Sequence, residues 1–249
     1  MLFRSIYAVP GVPFELYEMF ERAILPDLLA RSGSQSVIAS RTLRTWGESE
    51  SGLNERLHDV IGELDRVGNP TLAFLASGWE GIKVRLTAKA DSPSSVQSIL
   101  DEWDARVRAV VGDVVFGVDA DTMESVVLDL MRSRGLTLGL AESVTGGLVS
   151  GRLTNVAGSS DVLRGSIVSY ASEVKFGVLG VSPGPVVNEQ VAVEMAVGAR
   201  RVLGADVGLA LTGVAGPADQ DGVKPGTLDR KSTRLNSSHE WISRMPSSA

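Results

Sequence analysis

The stretch LTLGLAESVTGGLVSGRLTNVAGSSDVLRGSIVSYASEVK, residues 136–175, decides the fold class. Leu136–Ala141 reads as an apolar strand, Gly147–Val156 as a helix and Val162–Ser169 as a second strand. Working outward, Asp121-x-x-Glu124 is a capping-box-like start to a helix carrying Met123, Val126, Val127, Leu130 and Met131, with Gly135 as its stop. Downstream, Asn188–Leu203 reads as a helix capped by Asn188 and ended at Gly204, followed by a strand at Val207–Leu211. This alternation of helix and strand predicts an α/β domain over 119–228, three-layered, with a mostly parallel sheet and helices on its faces.

Residues 35–118 read differently. Val37–Thr45 predicts a strand and Ser51–Leu64 a helix carrying Leu53, Leu57, Val60, Ile61 and Leu64. Leu72–Ala76 and the alternating Ile82, Val84 and Leu86 predict two strands around Gly78-Trp79-Glu80-Gly81. Ser92-Pro93 opens a helix in cap-then-proline order, and Val114–Val118 closes a β-α-β-β-α-β unit, a small α+β domain. Residues 6–34 give a Pro-Gly turn and an amphipathic helix with Leu16, Met19, Phe20 and Ile24 on one face, which reads as the remnant of a larger domain. Residues 1–5 and 229–249 differ in style from the rest. MLFRS and DRKSTRLNSSH resemble translated sequencing-adapter ends, and the tail is expected to be disordered.

Composition excludes several functions. Across 249 residues there is no Cys, which excludes disulfides, thiolate metal sites and a cysteine nucleophile. No apolar run approaches the ~18 residues of a membrane span, and no signal peptide opens the chain, so a cytoplasmic protein is expected. Residues 6–228 hold 19 Lys and Arg against 28 Asp and Glu, an acidic balance that argues against a nucleic-acid partner. The bare G-x-x-G at 78–81 carries Glu80 and reads as a hairpin-like connection. With one His in 6–228 and no acidic cluster at ligand spacing in the last domain, no metal site is expected.

In open parallel sheets, ligands bind beyond the carboxyl ends of the strands. Three such ends are polar or Gly-rich: AESVTGG at 141–147, SYASEVK at 169–175 and TGVAGP at 212–217. Ser143 followed by Thr145, Gly146 and Gly147 at a helix start is either a helix cap with a tight turn or a cradle for a phosphate or oxyanion. Lys175 is either a helix-surface charge or, if desolvated in a cleft, a general base. Arg cannot fill that second role, and 6–228 holds 15 Arg against four Lys. Tyr170 either packs at a strand end or contacts a ligand. Thr212, Gly213 and Gly216 either make a strand-to-loop turn or let a ligand approach the backbone beside a hydroxyl.

These motifs resemble the CinA (competence/damage-inducible protein A) family. Its AES-x-TGG matches 141–147, its YSNEAK-like stretch matches YASEVK at 170–175, and its TG-x-AGP matches 212–217. Its KP-x-GT matches KPGT at 224–227, one residue short. VPGVP at 9–13 resembles the end of the family's molybdopterin-binding-like domain, and 35–118 resembles its KH-like linking domain. The resemblance implies a nicotinamide-nucleotide amidohydrolase domain over 119–228. That domain hydrolyses nicotinamide mononucleotide to nicotinic acid mononucleotide and ammonia, without a cofactor. Ser143 would be the nucleophile and Lys175 its base. Tyr170 and Thr212 would position the substrate beside Gly213 and Gly216, and the backbone of 145–147 would serve the phosphate or oxyanion. A homo-oligomer is implied, as is a domain that continues beyond KPGT with a further strand, a helix and a site arginine. The alternatives are a non-catalytic nucleotide-binding module, or an ADP-ribose pyrophosphatase activity residing in the family's N-terminal domain.

Overall fold

A helical segment comes first in the computed structural model, which describes residues 6–33, 36–76, 78–234 and 241–245. The chain falls into two units, one ending at Asp119 and the other beginning at Ala120. Helix α1 (Pro13–Met19) starts on a proline, runs through a π-helical turn at Phe20–Ile24 and continues as α2 (Leu25–Ser32). Its apolar face packs on little: Phe14 is 76% exposed, Tyr17 66%, and Met19 and Phe20 are also exposed.

The rest of the first unit is strand β1 (Val37–Thr45), helices α3 (Glu50–Arg56) and α4 (His58–Val67), strands β2 (Thr71–Ala76) and β3 (Ile82–Ala90), helix α5 (Pro93–Val111) and strand β4 (Val115–Val118). The sheet order is β2-β3-β1-β4, with every neighbour antiparallel. Leu43, Val84 and Leu86 from the strands meet Leu53, Leu57, Leu64, Leu100, Trp103 and Val107 from the helices in one core. The helix expected over 51–64 is instead two helices, parted at Leu57 (φ −89, ψ 6). Leu57 leaves helical geometry while its side chain stays fully buried. The 78–81 motif is a short 3-10 turn between β2 and β3, as its reading as a connection expects.

The second unit opens with helix α6 (Met123–Ser133). Its capping box is Thr122 with Ser125, one residue later than the sequence suggests. Glu124 is engaged elsewhere, hydrogen-bonded to Arg152. Then follow strand β5 (Leu138–Glu142), helix α7 (Leu148–Thr154), strand β6 (Leu163–Val168), helices α8 (Ser172–Val174) and α9 (Glu189–Leu203), and strands β7 (Val207–Gly213), β8 (Leu228–Arg234) and β9 (Trp241–Met245). The sheet order is β6-β5-β7-β8-β9. β5 runs parallel to β6 and β7, while β8 pairs antiparallel with β7 and β9 antiparallel with β8.

The sheet is therefore mixed: β6, β5 and β7, the strands within 119–228, are parallel, and β8 and β9 add antiparallel pairs beyond them. The connection from β7 to β8 contains no crossover helix, so β8 can only come back alongside β7 in the opposite sense. Alternation along the strands separates two cores. Leu138, Leu140, Val207 and Leu209 join Leu128, Met131, Leu153 and Val162, whereas Ala141 and Ala210 join Met195, Ala196, Ala199 and Leu179.

The disorder expected over 229–249 is overturned for Asp229–Arg234. All of them pair with β7, from Thr212 opposite Asp229 to Val207 opposite Arg234. The open edge of β7 offers unpaired backbone donors and acceptors, and these are satisfied whatever side chains the incoming strand carries. Lys231, opposite Ala210, is only 2% exposed as a result. Residues 1–5, 235–240 and 246–249 lie outside the described residues. Among the described residues no helix is long and apolar enough to cross a membrane.

Candidate active site

The parallel pairing of β5 with β6 and β7 brings three strand ends to one edge: Glu142 lies opposite Val168 on one side and Leu211 on the other. Beyond β5, Ser143 stays in the sheet for one more rung, its N–H donating to Leu211 O at 2.9 Å. The chain then turns sharply. Gly146 N–H donates to Ser143 O at 3.0 Å, and Gly146 and Gly147 have φ of +60 and +99, a pair of left-handed conformations that glycine adopts without strain. α7 starts immediately afterwards, so Ser143 sits between a buried strand and a helix N-terminus, itself only 5% exposed.

That N-terminus is already occupied. The Glu142 carboxylate is fully buried and accepts four hydrogen bonds. Thr145 Oγ1 and Val149 N–H donate to Oε2 at 2.8 and 2.9 Å, while Ser150 N–H and Ser166 Oγ donate to Oε1 at 2.8 and 3.1 Å. Burial alone would raise its pKa. The hydrogen bonds from Ser150, Val149 and Thr145 outweigh that and hold the carboxyl below its ordinary value. The protein's own anion thus meets the exposed N–H groups and positive dipole end of α7. Of the groups at 145–147, the Thr145 hydroxyl goes to Glu142 and the Gly146 N–H to Ser143 O.

Lys175 begins a π-helical segment, Lys175–Leu179, that follows α8. The segment is pressed onto α9 at Gly198, where a Cβ would lie 2.1 Å from Leu179 O; only glycine permits that approach. Lys175 is 2% exposed. Burial pushes its pKa down, partly opposed by the Asp221 carboxylate, and the net shift is downward.

Ser143, Lys175, Tyr170, Gly213 and Gly216 line one cleft with a volume of about 150 Å³, together with Val144, Val187, Val214, Ala215, Ala218 and Gln220. Tyr170 stands at its mouth, 67% exposed. Thr145, Gly146, Gly147 and Thr212 are not in its lining. Thr212 is fully buried, and its hydroxyl donates to Val186 O at 2.9 Å, holding the segment before α9 rather than facing a ligand. Two residues escaped the sequence reading. Glu142 stands inside the AES motif, where a carboxylate next to a serine gives no sign of being an internal helix cap. Asp221 belongs to an Asp-Gly pair that could have been read as a turn. Among the described residues no group of three His, Cys, Asp or Glu could hold a metal ion. His58 is an exposed first residue of α4 in the other unit.

Comparison with known proteins covers most of the chain. A family model for the CinA C-terminal domain matches residues 120–229, and one for the damage-inducible protein CinA KH domain matches 40–117. A CinA-like protein of Frankia casuarinae is 46% identical over 228 residues, 90% of this chain and 52% of that protein. A putative competence-damage inducible protein of Moorella thermoacetica is 40% identical over 227 residues, 89% of this chain and 54% of that one. The crystal structure of a competence/damage inducible protein from Agrobacterium tumefaciens is 30% identical, with a TM-score of 0.47 over 50% of this chain and 79% of that one. The chain spans about half the length of the curated relatives it matches. With two adjoining family matches in the order that the sheet-forming units follow, the chain belongs to the CinA family.

Proposed function

We propose that the second unit is a nicotinamide-nucleotide amidohydrolase domain, hydrolysing the carboxamide of nicotinamide mononucleotide to the acid and ammonia in the cytoplasm. The observation that carries this reading is a buried lysine in the same cleft as a buried serine. Desolvation favours the neutral amine, which can accept a proton, and the lysine stands beyond a strand end next to the one that carries the serine.

In the proposed reaction Ser143 Oγ attacks the carboxamide carbon as its proton passes to Lys175 Nζ. The tetrahedral intermediate collapses with cleavage of the C–N bond, and Lys175 returns the proton to the departing nitrogen, which leaves as ammonia. Water, activated by the again-neutral lysine, then cleaves the acyl ester to give the carboxylate and restore Ser143. Tyr170 and the Gly213–Gly216 wall position the substrate. No cofactor enters these steps. A helix-bearing core on each side of the sheet makes the domain three-layered in this reading, and 6–34 is the end of a preceding domain.

Ammonia release from nicotinamide mononucleotide is the direct test. Ser143→Ala and Lys175→Ala are each expected to lower kcat by about 10²-fold or more. Lys175→Arg is not expected to rescue, since its guanidinium stays protonated. Unchanged turnover in either alanine variant would remove the assigned roles. Binding of the nucleotide by the wild type without product would instead leave a non-catalytic binding module.

A further inference from the structure

The connection between β7 and β8, residues 214–227, is a strap folded back on itself. Its feet are fixed by Val214 N–H donating to Thr227 O at 3.0 Å and Gly226 N–H donating to Val214 O at 2.8 Å. At its far end Gln220 and Val223 exchange both backbone hydrogen bonds, at 3.1 and 2.8 Å, which makes Asp221-Gly222 a two-residue hairpin tip. Both tip residues are left-handed, with φ of +51 and +78, as a type I′ turn requires. The Asp221 carboxylate reaches out of the tip, where Oδ2 accepts Val186 N–H at 2.9 Å. Val186 and Val187 pack with Val214, and Val223 and Phe176, the residue after Lys175, join that cluster. One hydrogen bond at the tip and one apolar cluster behind it therefore hold the strap beside the cleft that Lys175, Ser143 and Gln220 line.

We infer that Asp221 is a positioning residue for the cleft lysine: the hairpin tip, one residue from the cleft-lining Gln220, holds its carboxylate beside the cleft that Lys175 lines, while the same carboxylate ties the strap to Val186. The inference deepens the Ser143–Lys175 reading and rests on it for its catalytic consequence. The other ionisable groups on the surrounding elements are Tyr170 after β6, Glu173 on α8, Glu189, Glu194, Arg200 and Arg201 on α9, Asp219 and Lys224 on the strap, and Asp229, Arg230, Lys231 and Arg234 on β8. Glu194 is bound to Ser182 and Gln190, and Arg201 to the carbonyls of Val178 and Leu179 at the other end of the π-helical segment. Glu142, on β5, is satisfied by its four donors. Asp221 is the group whose charge acts on Lys175 against its burial. Its carboxylate keeps the amine protonated to higher pH than burial alone would allow, and so sets the pH at which the base becomes available.

The test uses the full chain labelled with ¹³Cε-lysine, with the Lys175 signal assigned by its loss in Lys175→Arg. Asp221→Asn keeps an oxygen for Val186 N–H and removes the charge. Its Lys175 midpoint is expected to fall by about half a pH unit or more, with the acid limb of kcat/KM moving the same way and activity on that limb rising about threefold. Asp221→Ala removes the tether as well, so KM is expected to rise at least about threefold over the Asn variant. An Asn variant with an unmoved Lys175 midpoint overturns the electrostatic role, and an Ala variant with the KM of the Asn variant overturns the tether. A lowered Lys175 midpoint in a protein that releases no ammonia from the nucleotide supports the inference and overturns the amidohydrolase reading instead.

Discussion

Glu142 shows how much of the site hangs on one side chain. Four donors converge on its two oxygens from residues 3, 7, 8 and 24 positions further along the chain. Replacing it by Gln turns one accepting oxygen into a donor that faces other donors, so Glu142→Gln is expected to cost about 1–3 kcal/mol in urea unfolding. The sign of its pH dependence follows from the depressed carboxyl pKa. Its stabilisation is complete above the ordinary value near 4.5 and is lost as pH falls through the lower folded value. The stability gap between wild type and Glu142→Gln should therefore hold at pH 6–7 and narrow below about 4.5; a gap that widens in acid would contradict this account. At this scale Ser143, Lys175 and Tyr170 were legible, because their residue types at strand ends carry a chemical meaning. The destination of a hydroxyl is not legible in that way. Thr212 turns inward to Val186 O, 26 positions away, and Thr145 to Glu142, three positions before it, and neither partner is written in the residue type.

At the scale of elements, the segment Lys175–Leu179 is aimed by what it packs on. α9 meets it at Gly198, and a methyl group there would strike the Leu179 carbonyl. Gly198→Ala is expected to lose about 1–3 kcal/mol of stability and to lower kcat/KM as the segment that begins with Lys175 is pushed off the helix. Chemical denaturation together with ammonia release would check both; full activity at wild-type stability would show that the segment yields freely. Most helices and strands were readable from apolar period and caps: Ser92 and Asn188 each accept the N–H that their position promises. β8 was not readable. DRKSTR has no apolar alternation, and its place in the sheet comes from backbone pairing with β7 rather than from its side chains. The break at Leu57 was equally silent, since the apolar period continues across it.

For the whole molecule, the division into an α+β unit and an α/β unit was legible because each has its own periodicity. Each also has its own core: the cluster around Leu43, Leu57 and Trp103 draws on the first unit alone, and those around Leu140 and Met195 on the second. Residues 36–119 on their own are accordingly expected to unfold cooperatively, with Trp103 fluorescence reporting a single transition; a broad, non-cooperative melt would mean that the cores depend on one another. The mixed sheet was less legible than the units, because strand direction is set by the path of the 214–227 connection and not by any pattern within β8. That path has a mechanical result. The strap departs at Gly213 and lands at Leu228, which are partners in the same rung of the ladder. Peeling β8 from β7 would therefore slacken both anchorages at once, so fraying of that ladder and release of the hairpin tip are one event.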